Sequence, residues 1–166
     1  MLLQDKVIII SGVGAGMGSR MAKLAALEGA KVGLASRNID YINTVANEII
    51  NQGGEALACS TDVTCKEDCH KLVKKVGKKY GRIDGLINSA YQHGEWATTD
   101  STNADSWADI YNVNCVGALR MAQAVLPYMK SCGGGAIVNV STMTTVNPFP
   151  GEASYAASKG GLNVLT

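Results

Sequence analysis

The feature that most constrains this chain is the regular alternation of short apolar runs with longer amphipathic ones. Lys6 to Ser11 (KVIIIS) reads as a buried strand, followed by a Gly-rich turn and a helix from about Met17 to Glu28. Lys31 to Ala35 is a second strand. The helix after it carries Ile42, Val45, Ala46, Ile49 and Ile50 at helical spacing and ends at Gly53-Gly54. Ala56 to Ser60 is a third strand, and a helix from about Lys66 to Tyr80 buries Leu72, Val73 and Val76. Gly85 to Asn88 is a fourth strand, and Ser89 to Asn103 is polar and loop-like. One long helix is expected from about Ala104 to Lys130, with Trp107, Ile110, Val113, Leu119 and Met121 among its apolar positions. Gly133-Gly134-Gly135 breaks the chain before a fifth strand, Ala136 to Ser141, and the sequence turns helical again from Ala153. Strand and helix in repeated alternation predict an α/β fold: a Rossmann-like, doubly wound parallel sheet covered on both faces.

Composition agrees. The 166 residues suit one domain, 46% are hydrophobic and 17% charged, which supports a packed core and argues against disorder. Only 5% are aromatic, so the apolar volume comes from Ala, Val, Ile and Leu, as in buried parallel strands. Fifteen Lys and Arg against fourteen Asp and Glu leave a net charge of +1, which removes the electrostatic argument for a nucleic-acid or acidic-membrane partner. The lysines of the third helix (Lys66, Lys71, Lys74, Lys75, Lys78, Lys79) read as its solvated face. No run approaches the roughly eighteen apolar residues of a membrane span, and the start has no signal-peptide layout. Five scattered cysteines without an export signal then point to reduced thiols in a cytoplasmic protein. Cys65, Cys69 and His70 lack a second ligand pair, so no metal is expected.

Between the first strand and first helix lies Ser11-Gly12-Val13-Gly14-Ala15-Gly16-Met17-Gly18. Glycines there permit positive φ and close approach, and the helix beyond offers free N–H groups and a positive dipole to a phosphate. The common GxGxxG spacing fails, since its third glycine would fall on Met17 or Ser19. GxxxGxG fits Gly12, Gly16 and Gly18. The second strand ends at Ser36-Arg37, where a carboxylate would hold the adenosine ribose of NAD and an Arg would favour the 2′-phosphate of NADP. With no acid there and a guanidinium at hand, NADP(H) is favoured and NAD(H) remains possible. Ala15 adds no second positive charge. Near the other end, Tyr155-Ala156-Ala157-Ser158-Lys159 sets a phenol and an ammonium on one helix face, where the ammonium favours the phenolate.

A Gly-rich turn of this spacing, a strand-end Ser141-Thr142 and a Tyr-x-x-x-Lys helix, in that order, resemble the short-chain dehydrogenase/reductase family. The resemblance covers Lys6 to Leu165. It implies that Tyr155 exchanges a proton with a carbonyl or alcohol oxygen. Lys159 would hold the nicotinamide ribose and lower the Tyr pKa. Ser11, Gly12, Gly14, Gly16, Met17 and Gly18 would cradle the dinucleotide, with Asp62 and Val63 near the adenine. Asn88 and Ala90 would line the cofactor, and Asn114 would support a proton relay through water to Lys159. The hydroxyl that meets the substrate oxygen falls on Thr142, with Ser141 as the alternative. Where the family has Asn-Asn-Ala-Gly, this chain has Asn88-Ser89-Ala90-Tyr91, which adds a ring to the pocket. Tyr91, His93 and Trp96 either line that pocket or form a packed surface loop.

The implied activity is interconversion of a secondary alcohol and a ketone by hydride transfer with NAD(P), on a small-molecule substrate. A dinucleotide-binding protein without catalysis, and an epimerase or dehydratase of the family's extended branch, are the alternatives. A homo-oligomer, a tetramer by resemblance, is expected, because Met121, Ala122, Ala124, Val125 and Leu126 leave little polar face on the long helix. Members of the family continue beyond the Tyr-Lys helix with further strands and a closing loop. Residues 1–166 are therefore expected to be one dinucleotide-binding domain, incomplete at its C-terminus, of a longer natural protein.

Overall fold

Each apolar run between Lys6 and Asn139 becomes a strand of one parallel sheet, because helices cover both faces and leave little room for a polar alternation. A computed structural model describes all of residues 1–166. The strands are β1 (Val7–Ser11), β2 (Lys31–Ser36), β3 (Glu55–Ser60), β4 (Gly85–Asn88) and β5 (Ala136–Asn139), in the order β3-β2-β1-β4-β5. The helices are α1 (Met17–Leu27), α2 (Ile39–Asn51), α3 (Lys66–Tyr80), α4 (Ala104–Tyr111), α5 (Gly117–Ser131) and α6 (Ala153–Leu165). All four strand pairings are parallel, with Ile9 opposite Gly33 of β2 and Leu86 of β4. The fold class is as the alternation predicts: a Rossmann-like α/β domain.

Two cores sit on opposite faces of the sheet. One gathers Ala22 and Ala25 of α1 with Ile42, Val45 and Ile49 of α2 over Ile10, Val32 and Leu34. The other gathers Leu72, Val73 and Val76 of α3 with Met121, Val125 and Met129 of α5 over Val7, Ile9 and Leu86. Local signals end these helices where expected. The Asn38 side chain accepts the Tyr41 N–H at the start of α2, and Gly81, at φ 78°, closes α3 in the left-handed region. The lysines of α3 all face solvent.

Three elements differ from the sequence expectation. The long helix is interrupted: α4 and α5 are joined by a π turn, Asn112–Val116. β5 stops at Asn139 rather than Ser141, although the Val140 N–H still reaches the Asn88 carbonyl. Just past the strand's end, the Val140 carbonyl accepts from Lys159 Nζ at 2.7 Å. A short 3₁₀ turn, Met143–Thr145, follows and is fastened by the Thr142 side chain. The apolar stretch of α5 is also largely accounted for within the domain: Met121, Ala124 and Val125 are buried in its own core, while Leu126 stays exposed.

Strand order reverses between β1 and β4, where connections leave in opposite directions and a crevice opens at the strands' carboxyl ends. Gly12 sits at this point with φ 83°, and a Cβ there would overlap the Ala90 backbone. Gly14 has nothing within 4 Å of its Cβ position. Gly12→Ala is therefore expected to lower the unfolding free energy by about 1–3 kcal/mol from the backbone conformation alone, and more from the overlap. Gly14→Ala should leave it within roughly 0.5 kcal/mol of the parent. Urea unfolding of the two variants checks both.

Candidate functional site

The crevice is a groove of two adjoining cavities, about 410 and 530 Å³, which share Gly12, Gly14, Ser89 and Tyr91. The first is walled by Ser36 and Arg37 at the end of β2, Thr61 to Thr64 after β3, and Ala90 to Gln92. The second runs along Gly14 to Gly18 to Val140, Ser141, Tyr155 and Lys159.

Along the Gly-rich segment two glycines answer to the protein and two do not. A Cβ on Gly18 would overlap the Gly12 carbonyl, just as one on Gly12 would overlap Ala90. Gly14 and Gly16 face open space. The protein's own packing does not require them to be bare, whereas a phosphate brought against the backbone would. α1 begins without a side-chain cap, so the N–H groups of its first turn are available to such a group, and Met17 beside them is half exposed.

At the β2 end, Arg37 is exposed, and its charge helps to hold the Asp62 carboxyl below its usual range. The larger causes are the Thr64 N–H, at 2.8 Å, and the Thr64 hydroxyl, at 2.7 Å. This turn fixes Asp62 at the groove and buries Val63 against Gly117. Ser11 and Asn88 lie deeper than their motifs suggested. The Ser11 hydroxyl donates to Asn88 Oδ1 at 3.2 Å, and Asn88 Nδ2 donates to Asn139 at 2.9 Å and to the Ala118 carbonyl at 3.3 Å. Their side chains tie β1, β4, β5 and α5 together and do not line the groove.

At the other end α6 carries Tyr155 and Lys159 to the groove wall. Lys159 is 2% exposed, and burial pulls its ammonium down to about 8. Tyr155 is half buried. Burial pushes its phenol above the ordinary tyrosine value, with smaller upward contributions from Tyr91 and Glu152, while a hydrogen bond from Thr142 opposes them. The expected lowering of Tyr155 by Lys159 is therefore not what the geometry gives, because the Nζ is turned to Val140 and not to the phenol. The two hydroxyl candidates are divided: the Thr142 Oγ1 accepts from the Thr144 N–H and hydroxyl and exerts a downward pull on the Tyr155 phenol, and Ser141 lines the cavity.

Asn114 sits in the π turn, 1% exposed, with its amide committed to protein groups. Its Oδ1 accepts the Gln92 N–H at 2.7 Å, and its Nδ2 donates to the Gln92 carbonyl and to the Ser158 hydroxyl, both at 2.8 Å. Ser158 in turn donates to the Tyr155 carbonyl at 2.8 Å. Asn114 makes no bond to Lys159; it fastens the loop after β4 to α6. Tyr91, His93 and Trp96 gather at that junction. His93 stacks between Trp96 and Tyr155, with centroids at 4.9 and 4.8 Å, and its Nε2 meets Glu152 Oε1 at 3.1 Å. Sequence reasoning had passed over Glu152, although its spacing three residues before Tyr155 places the two on one helix face.

A switch-point groove, a glycine-rich turn with open Cβ positions and a Tyr-Lys helix at the groove wall belong to a Rossmann-like α/β domain. Comparison with known proteins narrows this: the model of the short chain dehydrogenase family matches residues 6–166. An uncharacterized oxidoreductase of Staphylococcus aureus is 34% identical over 165 residues, covering 99% of this chain and 70% of that protein. One of Listeria monocytogenes is 33% identical, with 66% of its length covered. Among solved structures, NAD⁺-bound xylitol dehydrogenase superposes with a TM-score of 0.95 at 30% identity, and levodione reductase with 0.93 at 28%. The chain spans 64% of the length of each of these two, and essentially all of itself is covered. The chain belongs to the short-chain dehydrogenase family.

The depressed lysine makes a signed prediction. Between about 8 and the ordinary 10.5, folded Lys159 has released a proton that the unfolded chain still binds. Stability from this group therefore rises with pH across that window and is lower below it. Relative to Lys159→Met, the parent's unfolding free energy should climb from pH 8 to pH 10, as read from urea titrations at several pH values.

Proposed function

We propose that this domain binds NADP(H) and interconverts a secondary alcohol and a ketone, with Tyr155 as the acid and base. The observation that carries the reading is that Tyr155, Lys159 and Ser141 line one end of the groove whose other stretch is the open glycine cradle. In this reading Gly14, Gly16, Met17 and Gly18 hold the pyrophosphate against the start of α1. Gly12 keeps the turn open, Ser36 and Arg37 take the 2′-phosphate, Asp62 and Val63 flank the adenine, and Ala90 lines the cofactor. Ser11 and Asn88 set the groove floor from below. When bound, the cofactor supplies the hydride for reduction and accepts it for oxidation.

The residues manage the oxygen and its proton. Burial keeps the Tyr155 phenol protonated near neutral pH, so it arrives as a donor to a carbonyl oxygen. Thr142 donates to the same substrate oxygen and supports the phenolate that remains, with Ser141, which lines the cavity, as the alternative donor. Lys159, released from Val140, holds the nicotinamide ribose and offsets the new negative charge. Asn114 is a positioning residue, since it fixes Gln92 and Ser158 on either side of the reacting end.

The reading extends to a homotetramer in the cytoplasm. Its support is the exposed apolar side chains Tyr111 and Leu126 along the α4–α5 edge, together with five unpaired cysteines. No helix is long and apolar enough to cross a membrane.

Fluorescence titration with NADPH and NADH tests the cofactor choice. One bidentate guanidinium–phosphate contact is worth about 1.5–3 kcal/mol, so NADPH should bind roughly ten- to hundredfold more tightly. Equal dissociation constants would refute the role of Arg37. Tyr155→Phe should lower kcat at least a hundredfold and leave NADPH affinity within about twofold. Retention of more than a tenth of kcat would remove Tyr155 from the chemistry.

A further inference from the structure

Glu152 is buried at the first turn of α6, and one of its two carboxylate oxygens, Oε2, has no hydrogen-bond partner. A buried acceptor left unpaired disfavours the folded state, so its retention asks for a reason. The other oxygen bonds His93 Nε2, and an ionised carboxylate can only accept. With Nε2 engaged by Glu152 in either tautomer, Nδ1 is the ring's remaining polar atom. Nδ1 has no partner within the chain, and His93 lines the cavity beside Tyr155 and Lys159.

A structural clamp does not account for the pair. Asn114 already secures this loop through two bonds to Gln92 and a third to Ser158 on α6. The arrangement of a buried carboxylate, an imidazole it orients, and a ring nitrogen left over beside the reacting phenol is instead that of a binding group held in place.

We propose that His93, oriented by Glu152, is a second polar anchor for substrate and selects molecules with a hydroxyl one or two carbons from the reacting carbon. The inference rests on Tyr155 meeting the reacting oxygen. Neutral imidazole accepts from a hydroxyl at Nδ1, and imidazolium donates to it, so a hydroxyl is recognised in either form. The second oxygen must lie close to the first, because the imidazole and the Tyr155 ring are 4.8 Å apart, centroid to centroid. Trp96, stacked on the far face of His93, prevents the ring from turning away. Substrates of this class are hydroxyketones, with diols in the oxidative direction, rather than simple ketones.

Binding to the NADPH-loaded protein tests this without turnover, since an alcohol cannot be oxidised by reduced cofactor. Cyclohexanol, cis-1,2-cyclohexanediol and cis-1,3-cyclohexanediol are titrated against the indole N–H resonances of the two tryptophans. Trp96 touches His93, and Trp107, bonded to Thr102, is the internal control. At least one diol should bind tenfold or more tightly than cyclohexanol and shift Trp96 but not Trp107. His93→Phe, which keeps the stack, should bring that ratio to within twofold of unity. Equal affinities in the parent protein, or a preference that survives in His93→Phe, overturn the proposal. NADPH binding without diol preference refutes the subsite alone, and absence of NADPH binding refutes the dehydrogenase reading and the subsite with it.

Discussion

The approach of Gly12 to the Ser89–Ala90 backbone is the contact on which the rest of the structure depends. It closes the ends of β1 and β4 against each other at the one place where neighbouring connections diverge to opposite faces of the sheet. With a side chain there, β1 and β4 could not keep their register through Ser11 and Asn88. Gly18 repeats the requirement in the first turn of α1, where the helix backbone lies on the Gly12 carbonyl. The open Cβ positions of Gly14 and Gly16 are a consequence: the turn is held at its two ends, and its middle is left free for a ligand.

Below that turn the domain keeps polar groups where apolar ones would pack. Ser11, Asn88 and Asn139 form one buried chain of hydrogen bonds across three strands. Asn114, Ser158 and the Gln92 backbone form another between helix and loop. Fully paired networks of this kind fix relative position more sharply than apolar contacts, because each donor has few acceptable geometries. The Tyr155–Lys159 end of the groove is thus positioned by side-chain amides that do not themselves line it.

Much of this was legible in the sequence, and the reasons differ by element. Strand and helix spacing gave β1 to β4 and α1 to α3 within a residue or so, since each is dominated by local periodicity and a Gly or Asn stop. Gly12 and Gly18 were legible because close backbone approaches demand a missing Cβ at fixed spacing, and the shared groove wall of Tyr155 and Lys159 because residues four apart lie on one helix face. The end of β5 was not, for there the chain leaves local periodicity and the Val140 carbonyl meets Lys159 from nineteen residues away. The charge state at the site was misread for a similar reason. Sequence spacing places an ammonium near a phenol, but burial acts on both groups separately and pushes each toward its neutral form. Glu152 carried only a faint signal, a carboxylate one turn before a tyrosine.

The π turn was the least legible element, and it has a mechanical consequence. Helical periodicity predicted one helix from Ala104 to Lys130, and the apolar spacing on either side of Asn112 supports that over short windows. One extra residue in a turn rotates everything beyond it by about 100° around the helix axis. The two halves can then serve different partners: α4 lies along α6, while α5 turns its apolar side to α3. Without that rotation, a helix that buried Met121 and Val125 against α3 would carry Asn114 away from α6. The turn thus lets one helix serve both the core and the site, and it places the amide that holds Gln92 and Ser158 at the point where the rotation occurs.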